Sequence, residues 1–215
     1  MNNPREVLWQ SLLTRALAIL DSATAAGLPS DEWSFGGGTV LMLQYRHRFS
    51  KDIDIFVPDP QPLGLLTPRL CDAAEVGMTD YIEQRESIKI YFPEGEVDFV
   101  AAGSVTDDPF SDMVLLGRTI KTERPTEIVG KKLVYRAADF KARDVFDLAL
   151  VLEREPEART VLKDLVARKR AELERRLTHR DAELREDFAL IDVLEYAPTY
   201  DHCLEAIHSA LLAGC

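Results

Sequence analysis

Ser34-Phe-Gly-Gly-Gly-Thr-Val-Leu-Met-Leu-Gln-Tyr-Arg-His-Arg-Phe-Ser-Lys-Asp-Ile-Asp-Ile-Phe-Val57 is the stretch from which the fold can be read. A glycine turn opens a short helix, a basic loop with a hydroxyl follows, and a strand begins with two carboxylates two residues apart. Side chains alternate faces along a strand, so Asp52 and Asp54 point one way while Ile53, Ile55 and Val57 point into a core. Neighbouring carboxylates repel, and a cation between them relieves the repulsion. A hard, oxygen-seeking ion such as Mg2+ suits that donor set and keeps room for substrate phosphates. The backbone N–H groups of Gly36-Gly37-Gly38, at the start of a helix, form an anion seat beside it. Each half alone has a plainer reading: a solvated strand face for the acids, a tight loop for the glycines. The segment has neither the Gly-Lys-Ser/Thr of a Walker loop nor the dinucleotide fingerprint.

The rest of the chain bounds the answer. Its 215 residues are enough for one sizeable domain or two small ones, and 46% hydrophobic with 29% charged residues is ordinary globular composition. No basic segment precedes an apolar run at the start, and no apolar run is long enough to span a bilayer, so a cytoplasmic protein without membrane contact is expected. Cys71, Cys203 and Cys215 are odd in number, scattered and without metal-ligand spacing, which suits free thiols in a reducing compartment. A net charge of −11 argues against broad, charge-driven nucleic-acid binding and leaves only a local basic site for an RNA.

Periodicity predicts a helix over 5–26 ended by Gly27-Leu-Pro29, a short strand at 33–35 and a helix over 39–45. Arg46, His47 and Arg48 then form a loop, with His47 expected at the surface. Thr67 and Pro68 read as the cap and first position of a helix over 68–76 that buries Leu70, Ala73 and Ala74. Residues 87–92 and 96–100 alternate about Pro93-Glu94-Gly95 and read as a hairpin. By periodicity Asp98 on its returning strand, with Glu96 on the same face, reads as an outward acid on an edge. Residues 106–112 read as a loop and 113–119 as a last strand. Helices are expected over 127–138, 142–153, 157–179, 187–196 and 200–212. The third of these carries Arg168-Lys-Arg170 and Arg175-Arg176, the densest positive charge in the chain and the place to look for an RNA acceptor.

Gly-Gly, a short helix, Arg-x-Ser-x-Asp-x-Asp and an apolar strand resemble the DNA polymerase β-like nucleotidyltransferase superfamily. Gly-Gly-Gly-Thr-Val-Leu with Arg48-Phe-Ser50-Lys-Asp52-Ile-Asp54 is similar, more narrowly, to the AbiEii/AbiGii toxin family. So is the second pattern, Lys132-Leu-Val-Tyr-Arg136 followed by Arg143-Asp144-Val-Phe-Asp147-Leu. The resemblance covers about residues 34–148 and implies an α+β fold. A nucleotidyltransferase-like mixed sheet flanked by helices would occupy residues 1–124. A C-terminal helical bundle over 125–215 would complete the nucleotide cleft. It implies Mg2+, or Mn2+ in its place, on Asp52, Asp54 and Asp98. Gly37, Gly38, Thr39, Arg48, Ser50, Lys132, Arg136 and Arg143 would bind the NTP, with Lys132 gripping the triphosphate. Asp144 would orient the acceptor hydroxyl or take its proton, and Asp147 would act beside it or merely pair with Arg143. The implied activity is that of the toxin of a toxin–antitoxin or abortive-infection pair, moving a nucleotide onto an RNA such as a tRNA 3′ end, with a cognate antitoxin as partner. The same chemistry on a small molecule or protein, and a non-catalytic nucleotide-binding module, are the alternatives.

Overall fold

The computed structural model describes residues 7–212. The chain divides into two compact units. The first comprises Met1–Val40, Ser50–Gly103 and Phe110–Glu123, and the second Leu41–Phe49, Ser104–Pro109 and Arg124–Cys215.

In the first unit α1 (Leu8–Ala25) buries Leu12, Leu13, Ala16, Ile19, Leu20 and Ala23, the three-and-four spacing of one helix face. Its end is set by Gly27 at φ 115°, where Leu28 N–H donates to Ala23 O and Gly27 N–H to Thr24 O. These two bonds satisfy the last carbonyls in a Schellman closure. The strands are β1 (Ser34–Gly36), β2 (Ile53–Val57), β3 (Asp80–Glu83), β4 (Ser87–Phe92), β5 (Gly95–Ala101), β6 (Phe110–Leu115) and β7 (Arg118–Glu123). They form one mixed sheet in the order β3-β4-β5-β2-β1-β7-β6. The β2–β5 and β1–β7 pairs are parallel and the others antiparallel. In β2 the residues Ile53, Ile55 and Val57 are buried while Asp54 and Phe56 on the other face are half-buried, the alternation expected from the sequence. In β4 and β5, Ile88, Ile90, Phe92, Val97 and Phe99 join that buried face. Helix α1 packs against β2 and β5 from this side.

Two expectations fail here. After the single turn α3 (Leu63–Leu66), the expected helix over 68–76 shrinks to the single turn α4 (Asp72–Glu75). Pro68 disfavours helical backbone at the preceding residue, and Thr67 is extended at φ −71°, ψ 138°. The Thr67 hydroxyl donates to Glu83 instead of capping a helix, and Leu70 is 76% exposed. The loop over 106–112 and single strand over 113–119 are instead the hairpin β6–β7. Its two-residue turn, Leu116-Gly117, has positive φ at both positions, which matches the twist of the paired strands. The edge strand β3 has no alternating burial to reveal it.

In the second unit, helix α2 (Gly37–Tyr45), which starts in the first unit, delivers the segment 46–49. The helices that follow are α5 (Pro125–Arg136), α6 (Ala142–Arg154), α7 (Ala158–His179), α8 (Asp181–Ala189) and α9 (Tyr200–Ile207). Pro125 starts α5 where a missing N–H costs nothing. Helix α6 is buried along most of its length and packs on α5, α7, α8 and α9. The expected helix over 187–196 is absent: α8 stops at Ala189 and the chain continues as irregular backbone, with Val193 in an antiparallel bridge to Arg48. There Leu194 N–H donates to His47 O, Glu195 N–H to Arg46 O, and Phe49 N–H to Asp192 O. The backbone of 192–195 is thus spent on pinning 46–49. Among the described residues no helix is long and apolar enough to cross a membrane.

Phe99 is fully buried in β5. Phe99→Ala is expected to destabilise the protein by about 3–5 kcal/mol, the cost of a large core cavity, read as a lower urea midpoint.

Candidate active site

The acids of the first unit are brought together by register. Asp54 on β2 lies opposite Asp98 on β5, and Gly36 on β1 lies opposite Asp54 from the other side. All share the half-buried sheet face. Asp52 sits just before β2, and its Oδ1 accepts from Glu96 N–H at 3.3 Å. Asp52, Asp54, Glu96 and Asp98 therefore crowd one corner of the sheet. Burial, with Glu96 and Asp52 near, pushes the Asp98 carboxyl above its usual range against the pull of Lys89. Lys89 on β4 places its ammonium 2.7 Å from Asp98 Oδ2 and 2.7 Å from Glu96 Oε1.

The glycines are fitted to these acids. Gly37 has φ 72°, and a Cβ there would lie 1.9 Å from Asp54 Oδ2. A Cβ on Gly36 would strike Glu123 and Phe56. No side chain can be accommodated where α2 begins against Asp54. Thr39, two residues on, is fully buried, and its hydroxyl donates to the Asp52 carbonyl at 2.6 Å with Ser50 Oγ 3.1 Å away. Thr39 thus fixes the backbone that carries Asp52, and it does so from inside the protein.

The second unit holds a separate charge cluster about Asp147, which is fully buried on α6. Arg48 donates to it bidentately, Nε to Oδ1 at 2.7 Å and Nη2 to Oδ2 at 2.7 Å. Lys132 Nζ bonds to Oδ2, and His47 Nε2 lies 2.9 Å from Oδ1. Asp144, also fully buried, receives Lys132 at 3.1 Å and Arg136 at 2.5 Å, and its Oδ2 accepts from the Lys141 N–H to cap α6. Burial opposes charge on both acids. The cations outweigh it: Arg48 and Lys132 hold Asp147 well below the usual carboxylate range, and Lys132 and Arg136 lower Asp144. Arg143 is exposed and Asp147 takes Arg48, Lys132 and His47 as its partners, so the expected Arg143–Asp147 pair is not what organises α6.

His47 corrects a second expectation. It is fully buried, not at the surface, and packs 5.8 Å from the Phe146 ring. A carboxylate opposite Nε2 requires that nitrogen to carry the proton, which leaves Nδ1 as an acceptor, and Nδ1 is buried without a hydrogen-bond partner. Protonating Nδ1 would bury an unmatched donor. Burial lowers the His47 pKa, and Arg48 and Lys132 add to that against the pull of Asp147.

The sequence model of the AbiEii nucleotidyl transferase toxin, of type IV toxin–antitoxin systems, matches residues 18–211. The chain belongs to the AbiEii nucleotidyl transferase toxin family. AbiEii membership makes it a nucleotidyltransferase enzyme of the toxin type, and implies a nucleotide substrate and a cognate antitoxin. No curated protein matches the chain. Among solved structures it is similar to a candidate nucleotidyltransferase from H. pylori, with TM-score 0.51 and 16% identity over 95% of this chain and 92% of that one. It is also similar to MenT4, a nucleotidyltransferase toxin from Mycobacterium tuberculosis, with TM-score 0.45 and 18% identity over 74% of this chain and 64% of that one. The first likeness shows the fold, a nucleotidyltransferase mixed sheet flanked by helices.

Within the AbiEii chain, Asp54 and Asp98 are register partners, Asp52 sits just before β2, and Gly37 lies against Asp54. Arg48, Lys132, Arg136 and Asp144 meet in the helical unit. Lys89 was missed by sequence reasoning, although its place opposite Asp98 follows from the hairpin register. His47 was seen and misjudged, because burial by a distant segment leaves no mark near residue 47.

Gly37→Ala is expected to abolish nucleotide transfer and lower the melting temperature, since positive φ and the clash with Asp54 act together. The acid dependence of stability has a definite sign. His47 titrates lower folded than its ordinary 6.5, so its contribution is complete above that value and is lost as pH falls below it. Asp147 and Asp144 add losses only below their ordinary 3.8. Unfolding free energy measured in urea should fall between pH 7 and 5 by at most about 1.4 kcal/mol per pH unit. His47→Gln should flatten that interval and leave the loss below pH 4 in place.

Proposed function

We propose that this AbiEii protein transfers a nucleotide from an NTP to an RNA acceptor, such as a tRNA 3′ end, with Mg2+ or Mn2+ held by Asp52, Asp54 and Asp98. The observation that carries the reading is the register of Asp54 with Asp98 under the Gly37 backbone. Among the described residues no three His, Cys, Asp or Glu side chains are gathered into a ready-made metal centre. The donor set nevertheless fits Mg2+, which is ordinarily bound by one or two carboxylates with substrate phosphates completing the shell. When bound, the ion supplies charge neutralisation and alignment for in-line displacement at the α-phosphorus.

The chain's own residues position and neutralise. The Gly37 and Gly38 backbone approaches the triphosphate where no side chain fits, and Ser50 donates to it. The acceptor hydroxyl oxygen would bond to the α-phosphorus, its proton passing to water, as the bond to pyrophosphate breaks, and no side chain becomes covalently attached. Arg48 and Lys132 are committed to Asp147, and Arg136 to Asp144, within the helical unit. Asp144, buried and held ionised by Lys132 and Arg136, suits the positioning of those cations better than accepting a proton from the acceptor.

A second reading is favoured by the net charge of −11: the same transfer onto a protein or small molecule. Incubation with α-labelled NTPs, Mg2+ and a mixture of RNA and protein separates the two by which fraction takes the label; label in RNA supports the first. Asp54→Asn is expected to cut transfer by on the order of 10²–10³-fold or more while its circular dichroism spectrum is kept. Transfer at the wild-type rate would remove Asp54 from the site.

A further inference from the structure

The hairpin that carries Asp98 also carries a cation aimed at it. On β4 the apolar Ile88, Ile90 and Phe92 fill the buried face, so Lys89 lies on the other one with the acids. Lys89 is the register partner of Asp98, which is the partner of Asp54, which is the partner of Gly36. One row across four strands therefore reads glycine, acid, acid, ammonium. The ammonium touches Asp98 Oδ2 and Glu96 Oε1, both at 2.7 Å. The Lys89 side chain is 29% exposed and that of Asp98 19%, so the pair is partly shielded from water. A partly shielded ammonium at that position occupies one oxygen of an acid offered to a divalent ion, and repels the ion as well. Glu96, two residues along the same face of β5, offers the ammonium a second seat.

We propose that Lys89 is the resident counter-ion of the acidic row: it holds Asp98 while no divalent ion is bound and withdraws to Glu96 when one binds. Lys89 and Glu96 together then set the metal affinity of the site. This rests on the metal reading of Asp52, Asp54 and Asp98 given above. Without Lys89, Asp98 and Glu96 lose the ammonium they share in the metal-free protein, while the metal meets no competitor on Asp98. The lysine therefore trades metal affinity for stability of the empty sheet corner.

The test is calorimetric titration with Mn2+ alone, without nucleotide, on wild type, Lys89→Met, Glu96→Gln and the double variant. Lys89→Met should bind Mn2+ on the order of tenfold more tightly and melt at a lower temperature without metal. Glu96→Gln should bind several-fold more weakly, because Lys89 is left with Asp98 alone, and this loss should vanish in the Lys89→Met background. Equal or weaker binding by Lys89→Met overturns the proposal, as does a Glu96→Gln loss that persists in the double variant, which would make Glu96 a direct ligand. In wild-type protein the 15N signal of the Lys89 ammonium should shift on titration with Mg2+, and an unmoved signal at saturation also overturns it. Failure of the metal reading itself looks different: no saturable Mn2+ binding by any of the four proteins.

Discussion

Like charges forced into register are the constraint on which the rest of this fold depends. Asp54 and Asp98 stand side by side on adjacent parallel strands because Ile53, Ile55, Val97 and Phe99 must all face the core. Strand periodicity leaves the acids no other face. Their repulsion is met locally by the Lys89 ammonium, and the room around them is set by Gly36 and Gly37, where any Cβ would overlap a neighbour. A sheet corner so acidic, with its glycines so tightly fitted, is costly for stability, and the proposed binding of a divalent ion with a polyphosphate would offset that cost.

The helical unit solves the opposite problem, that of keeping cations inside a protein. The buried Arg48 and Lys132 and the half-buried Arg136 are set against Asp147 and Asp144, and Arg48 grips Asp147 bidentately. Three positive charges on two acids leave an excess of one. Buried pairs of this kind add little net stability, since desolvation offsets the attraction, but losing one partner is expensive. Their worth is in holding side chains in one arrangement. The orphaned Nδ1 of His47 makes that arrangement most secure when the imidazole is neutral.

The sequence was most informative where local chemistry dictates structure. Alternation in 53–57 and 87–100, the glycine turn and the Asp-x-Asp spacing are properties of a few neighbouring residues, and the sheet corner followed from them. The helices α5, α6 and α7 were legible as long runs without an internal proline, and α7 also carries an apolar stripe through Leu162, Val166, Leu173 and Leu177. What stayed hidden depends on distant partners. The non-helical run 192–195 looks helical alone, but its backbone groups are taken by residues 46–49. Leu116-Gly117 is an unusual turn pair, since a leucine at positive φ has no propensity signal, so β6 and β7 merged into one expected strand. Thr67-Pro68 was read as a cap when its hydroxyl belongs to Glu83. Within the candidate site, Asp52 and Asp54 were singled out by type and spacing, whereas Asp98 was singled out only through the family resemblance, since periodicity alone reads it as an outward acid on an edge strand. Lys89 was identifiable only after the hairpin was paired strand to strand.

The account stands on the acids at the β2–β5 corner being a cation site that Lys89 fills for itself. Diffraction from crystals grown with Mn2+ and a non-hydrolysable NTP measures this directly through the anomalous signal of the metal. The account predicts a peak within about 2–2.2 Å of carboxylate oxygens of both Asp54 and Asp98, with the Lys89 ammonium moved onto Glu96. Metal peaks elsewhere, with Lys89 still closed on Asp98, would contradict it.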